Sequence, residues 1–376
     1  MKRTVLPLAI ILILLNFAFG TPPRKPASYV VIAYVGGFRG LVNADSIEVE
    51  KLTHINYAFV DVRDGKAWLH NERNDTTNFR RLTAARSRNP ALRILISIGG
   101  WSWSKHFSDA VLTDSSRAVF AASATAIVGQ YGLDGVDIDW EYPGMRGDNN
   151  TFRPEDKEHY TLMFKALRES LDSLGRITWK TYQVTTAVGS SDEYILHTAM
   201  DSAQRWLDYV NVMSYDFKEG GDSLSGHHTN LLTSPDDPSQ RSTDRAIKAF
   251  EAAGVPLSKL VIGIAFYGHG WTMKSDDNHG LFRASAGPFR VGGGYTYIKD
   301  SLVDQKGFHR YWDRKAKAPY LFQPQEKIFI SYDDERSVKA KCKYTEKNQL
   351  AGVMFWEYFA DRKGYLLNEI DKTLKH

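Results

Sequence analysis

The segment LDGVDIDWEYPG, Leu133 to Gly144, sets Asp134, Asp137, Asp139 and Glu141 close together and interleaves them with Val136, Ile138 and Trp140. Side chains on a strand alternate between faces, so Asp137, Asp139 and Glu141 form a row on one side, and the three apolar side chains share the other. Neighbours in such a row stand roughly 6.5 to 7 Å apart along the backbone, close enough for rotamers to touch or to share a proton. Two adjacent carboxylates cannot both ionise freely, so at least one pKa rises, and a raised pKa suits a general acid. Trp140, Tyr142 and Pro143 mark a packed strand running into a tight turn, not a solvated acidic face. A calcium or magnesium site is a poor fit, because the spacing departs from the Asp-x-Asp-x-Asp-Gly loop and a strand presents its ligands in a line.

A row of this kind needs a frame. Short apolar runs recur along the chain: YVVIAYVGGF from Tyr29, THINYAFV from Thr53, LRILISIGGW from Leu92 and the acidic strand from Leu133. YQVTTAVG from Tyr182, LDYVNVMSYDF from Leu207, KLVIGIAFYG from Lys259 and LAGVMFWEYF from Leu350 continue the series. Between several of them lie amphipathic helices with start and stop signals, from near Asp114 to before Gly132, from Pro154 to near Gly175, and from Thr243 to Gly254. Alternating strands and helices predict an α/β fold of the (β/α)8 TIM-barrel type. An open doubly wound sheet fits less well, since no glycine-rich phosphate loop follows the first strand. About 80 residues separate the last two strands, far more than a usual connection. Glycine turns and strand-like runs there predict an α+β insertion subdomain over residues 269–333.

The chain has 376 residues, 43% of them hydrophobic and 24% charged, the composition of a globular protein able to bury a large core. Its start, MKRTVLPLAIILILLNFAFG, pairs Lys2 and Arg3 with an apolar run and a small-residue site ending at Gly20. This predicts a cleaved export signal over residues 1–20, a catalytic barrel over residues 21–376, and a secreted or periplasmic location. Loss of Lys2 and Arg3 would lower the formal charge from +4 to +2. No basic cluster points to nucleic acid, and no run after the signal is long enough to span a membrane. Cys342 is the only cysteine. An exported chain without internal disulfides leans towards a bacterial source. A monomer is expected, with no cofactor.

In such barrels the active site lies at the carboxyl ends of the strands, so the residues that close each run form one surface. Trp101 and Trp103 close the third run, Glu141 and Tyr142 the fourth, Tyr215 and Asp216 the sixth, Tyr267 the seventh and Trp356 the eighth. Aromatic faces stack on sugar rings while hydroxyl and carboxyl groups bind their polar rims, so this floor points to a carbohydrate. Tyr34 and Phe59, from the first two runs, join it as candidate binding residues. Glu141, the acid nearest the mouth, is the candidate general acid. Ordinary glycosidases place a second carboxylate across the scissile bond. Asp139 shares the strand and face of Glu141 and is badly placed for that role. The arrangement points instead to the substrate-assisted exception, in which a sugar N-acetyl oxygen attacks the anomeric carbon. Asp139 would then orient the acetamido N–H, and Asp137 would exchange a proton or hydrogen bond with Asp139.

DGVDIDWEYPG resembles the DxxDxDxE signature of the family 18 glycoside hydrolases, the chitinases, with Asp134, Asp137, Asp139 and Glu141 at the matching positions. SIGGWSWSKHFS, NVMSYDF, GIAFYG, SYDDERSVKAK and GVMFWEY resemble further segments of that family, and the insertion resembles its chitinase insertion domain. The resemblance implies chitin or chito-oligosaccharides as substrate. It implies that Tyr215 hydrogen-bonds the acetamido oxygen with Met213 and Asp216 nearby, and that Trp356 lies under the sugar at the cleavage site. It also implies cis peptide bonds at Ala58–Phe59, Glu141–Tyr142 and Trp356–Glu357. The sequence departs from the family at His269, where many relatives carry arginine, so a cleft contact is expected to be lost. His227 and His228 read as part of a polar loop, and neither they nor His279 show a zinc spacing, so no metal is assigned. The same acid row would serve an endo-N-acetylglucosaminidase acting on N-glycans or cell-wall amino sugars. A non-catalytic chitin-binding lectin of this fold is disfavoured by the retention of Asp137, Asp139 and Glu141.

Overall fold

The computed structural model describes residues 29–374. The expected export signal, residues 1–20, lies outside the described residues. In chain order the first strands are β1 (Val30–Gly36), β2 (His54–Arg63), its short hairpin partner β3 (Lys66–Trp68), β4 (Arg93–Gly99) and β5 (Gly135–Asp139). β6 (Gln183–Gly189), β7 (Tyr209–Met213) and β8 (Leu260–Ala265) follow, then five strands of a second sheet, β9 (Gly268–Met273), β10 (Ser285–Phe289), β11 (His309–Asp313), β12 (Ala318–Gln323) and β13 (Ile328–Tyr332), and finally β14 (Gly352–Trp356). Strands β1, β2, β4, β5, β6, β7, β8 and β14 pair in parallel, and the β1–β2 pairing closes them into the expected (β/α)8 barrel.

Apolar burial on both faces of these strands drives the closure. Val136, Ile138 and Trp140 point outward and pack with helix residues such as Phe120, Tyr160 and Phe164 in the largest apolar cluster. Trp140 lies nearly parallel to Phe107, with ring centroids 5.1 Å apart. A smaller cluster fills the barrel interior and includes Ile32, Tyr34, Ala58, Ala187, Val261, Ala265 and Met354. The alanines among them leave room inside for polar side chains.

The surrounding helices begin where their caps dictate. Thr113 and Asp334 make capping boxes with Ser116 and Ser337 at the starts of the helices Asp114–Gln130 and Glu335–Lys347. The helix Asp156–Thr178 runs past Gly175, where the sequence predicts its end. Gly175 serves close packing and not termination, since a Cβ there would lie 2.6 Å from the Lys180 carbonyl oxygen. Trp179 ends that helix in the left-handed conformation, with φ of 57°.

The second sheet is antiparallel, in the order β10-β9-β13-β12-β11, and stands between barrel strands β8 and β14 in the chain. Trp271, Phe282, Tyr320 and Phe329 form part of its own apolar cluster. A buried polar knot fixes it to the barrel. Lys341 Nζ donates to Asp333 Oδ2 and to Thr229 Oγ1, each at 2.6 Å, and the Ala265 amide reaches Asp333 Oδ2 at 3.2 Å. Ser337 Oγ donates to Asp333 Oδ1 at 2.6 Å. One carboxylate thereby joins the end of β8, the loop after β7 and the helix that follows the sheet.

Removing one member of a buried ion pair strands the other charge, which costs about 3–5 kcal/mol. Lys341→Met is therefore expected to lower unfolding stability by that amount in urea titration. Lys248→Met, at the exposed Lys248–Asp244 pair, is expected to cost less than about 1 kcal/mol. Equal small losses would show that the knot does not hold the sheet to the barrel.

Candidate functional site

The acid row climbs the inside of β5, and the register of the barrel decides its partners. Asp137 stands level with Ser97 on β4 and Thr185 on β6. Its Oδ2 accepts from Tyr34 Oη at 2.9 Å and Ser97 Oγ at 2.8 Å, and its Oδ1 accepts from Thr185 Oγ1 at 2.6 Å and Asn211 Nδ2 at 3.2 Å. Burial raises the Asp137 pKa, and these four donors oppose the rise. Asp139 has no such support, and its Oδ1 is buried without a hydrogen-bond partner. Burial, and then the charges of Glu141 and Asp137, hold its pKa well above the carboxylate range.

Glu141 is half-buried at the top of the row. Burial, followed by the charge of Asp216, pushes its carboxyl up to about 7, against a hydrogen bond with Tyr142. Because Asp139 and Glu141 interact, they titrate as a pair that retains a proton at neutral pH. The backbone beneath them is fixed by Ser104, whose Oγ accepts the Glu141 amide at 2.9 Å and lies 3.0 Å from the Asp139 carbonyl oxygen. Two glycines make this approach possible. Gly99 has φ of 110°, and a Cβ there would run into the Asp139 carbonyl; at Gly100, with φ of 79°, it would lie 2.6 Å from the Phe59 ring.

A cleft of about 1160 Å³ opens over the row, lined by Asp139, Glu141, Tyr142, Tyr215, Tyr267 and Trp356 among others. Trp356 lies nearly parallel to Phe59, with centroids 5.4 Å apart at 19°, and to Phe38, at 6.2 Å and 13°. Trp101 is 53% exposed and stands edge-on to Tyr142 at 6.4 Å. Met213 also lines the cleft. The Tyr215 hydroxyl lies 3.9 Å from Met354 Sδ, a weak contact that leaves it able to bond a ligand. The three expected cis peptide bonds, Ala58–Phe59, Glu141–Tyr142 and Trp356–Glu357, are present.

Asp216, in the left-handed conformation with φ of 56°, gathers a second polar cluster. Its Oδ1 accepts from Tyr267 Oη at 2.6 Å and His269 Nε2 at 2.8 Å, with His228 Nδ1 at 3.5 Å. Burial would raise its pKa, but the hydrogen bond from His269 and the closeness of the His228 imidazole win and hold it below the usual carboxylate range. Asp216 is therefore a fixed anion facing Glu141 across the cleft.

Two sequence expectations need correction. Tyr34 does not line the cleft; it is buried in the barrel and holds Asp137 from below. His269 keeps a cleft-side contact, made to Asp216, where a lost contact was expected. The polar loop that carries His227 and His228 is buried under the second sheet, and His227 Nε2 meets Asp313 Oδ2 at 3.2 Å. Sequence reasoning also passed over Phe38, Ser97, Thr185 and Asn211. The last three carried a signal, as polar residues within otherwise apolar strand runs.

The site thus offers one proton-bearing carboxyl beside an aromatic floor, backed by buried acids. The sequence profile of the glycosyl hydrolases family 18 matches residues 30–361. Chitinase A1 of Niallia circulans is 32% identical over 98% of this chain, which spans 62% of that protein's length. The structure of a family 18 N-acetylglucosaminidase from Paenibacillus barengoltzii superposes with a TM-score of 0.86 at 42% identity, covering 92% of this chain and 100% of that one. A chitinase-like agglutinin from Robinia pseudoacacia superposes at 0.80 with 25% identity, covering 91% and 99%. With a profile match that runs through every barrel strand and the acid row, the chain belongs to the glycosyl hydrolases family 18.

Proposed function

We propose that the protein hydrolyses β-1,4 linkages between N-acetylglucosamine units of chitin or chito-oligosaccharides, with retention of configuration and with the substrate's own acetamide as nucleophile. The observation that carries this reading is the Glu141 carboxyl, pushed up to about 7 at the open end of a buried acid row. Glu141 gives its proton to the glycosidic oxygen as the bond to the anomeric carbon breaks. The acetamido oxygen attacks that carbon from the other face; Asp139, having passed its proton to Asp137, accepts a hydrogen bond from the acetamido N–H and balances the positive charge that develops. Tyr215 donates to the acetamido oxygen and holds it in line. Glu141 then takes a proton from the water that opens the cyclic intermediate. Trp356 supports the sugar at the cleavage point by stacking. Export through residues 1–20 and action as a monomer complete the reading.

A second reading is release of single N-acetylglucosamine units from chain ends. It is favoured by the 42% identity to an N-acetylglucosaminidase that this chain matches along that enzyme's whole length. The first products from chitohexaose separate the two: oligosaccharides support internal cleavage, and monomer from the earliest time points supports the second. The likeness to a chitinase-like agglutinin prompts a non-catalytic lectin reading, but a lectin has no use for a carboxyl held near neutrality.

Glu141→Gln keeps shape and hydrogen bonding but removes the transferable proton. It is expected to slow hydrolysis by about 10² to 10⁴, while oligosaccharide binding measured by calorimetry survives. A near-normal rate with lost binding would support a purely ligand-holding role.

Glu141 must be protonated to act, so kcat/KM is expected to fall as pH rises through about 7. The anion of Asp216 raises that value, so Asp216→Asn should move the basic limb of the profile to lower pH. A limb that stays in place would show that Glu141 is not the titrating acid.

A further inference from the structure

The loop after β7 and the start of β9 carry His228 and His269 onto the single carboxylate of Asp216. One ligand atom from each lies within 4.8 Å of the other two, and among the described residues this is the group of acids and histidines so gathered. We propose that Asp216, His228 and His269 form a binding site for a divalent transition-metal ion of the zinc type at the wall of the cleft.

Two imidazole nitrogens and one carboxylate oxygen make a donor set that suits zinc, and three protein ligands with one open position are a common arrangement for that ion. Bonds of about 2.0 to 2.2 Å place neighbouring donors of a tetrahedron roughly 3.3 Å apart. The separations of 2.8 Å from His269 Nε2 to Asp216 Oδ1 and 3.5 Å from His228 Nδ1 to the same oxygen bracket that value. The half-exposed His269 ring can turn to close the remaining distance.

An independent observation concerns His228. Its side chain is 0% exposed, yet neither ring nitrogen has a hydrogen-bond partner. A buried imidazole left so is costly, and its Nδ1 faces Asp216. Its backbone is held on both sides, with its amide donating to Ser331 Oγ at 2.9 Å and its carbonyl accepting the Phe217 amide at 3.0 Å. The ring is thus pre-positioned by the second sheet. Asp216 and His269 both line the cleft, so the fourth position opens towards solvent. Spacing could not reveal the site, because the three ligands come from separate segments and no short motif contains them.

The test is titration of tag-free, EDTA-dialysed protein with Zn²⁺ by calorimetry and with Co²⁺ by visible absorption. One high-affinity Zn²⁺ per chain is expected, with Co²⁺ giving the ligand-field bands of a low-coordinate site. His269→Ala, a change at a half-exposed side chain, should weaken Zn²⁺ binding at least tenfold and abolish the Co²⁺ bands. Glu141→Gln should keep both, so binding is judged without any turnover. Absence of Zn²⁺ binding, or equal binding by His269→Ala, would overturn the proposal. A His228→Gln variant that folds by circular dichroism yet keeps full affinity would do the same.

Discussion

The structure depends on the burial of three carboxyl groups along one strand inside an apolar barrel. Removing a carboxylate from water disfavours its charged form strongly, and adjacent carboxylates add repulsion. The chain resolves this differently at each level. At the bottom, four donors from β1, β4, β6 and β7 surround Asp137. In the middle Asp139 has no compensating donor at Oδ1. At the top Glu141 meets the cleft, where a proton held near neutrality can be given to a substrate. Uneven support along one strand thus produces uneven proton affinity, with the strongest rise at Asp139 in the middle.

The rest of the site follows from that constraint. Gly99 and Gly100 let β4 press against the end of β5, which fixes the backbone between Asp139 and Glu141. Alanines at 58, 187 and 265 make space within the barrel for the polar layer. The second sheet, tied in through Asp333 and Lys341, buries the loop that carries His228. Asp216 is held anionic beside that loop and acts back on Glu141, raising the pKa of the acid from across the cleft.

Much of this was legible in the sequence. The acid row and its outward partners Val136, Ile138 and Trp140 follow from strand alternation alone, and the aromatic floor follows from the residues that close each run. The resemblance pointed to the cis bonds at 58–59, 141–142 and 356–357. What escaped depends on contacts between distant segments. Tyr34 looked like a cleft residue because it shares an inward face with the floor, but its depth in the barrel sets it under Asp137. His227 and His228 belong to a polar loop whose burial no local pattern announces, since only the covering sheet produces it. Gly175 looked like a helix stop, yet it marks close packing against Lys180.

In the proposed mechanism the protein supplies acids on one side of the bond and the sugar supplies the nucleophile. Asp216 is the rival, being an anion in the same cleft, but its Oδ1 is already engaged by Tyr267 and His269. Substrate assistance requires an N-acetyl group on the sugar at the non-reducing side of the cleaved bond, and two inversions leave the β configuration. The most direct measurement is a proton NMR time course comparing N-acetylated chito-oligosaccharides with their fully deacetylated counterparts. Substrate assistance predicts β product before mutarotation from the acetylated substrate and no cleavage of the deacetylated one. Fast cleavage of the deacetylated chain, or α product, would contradict it.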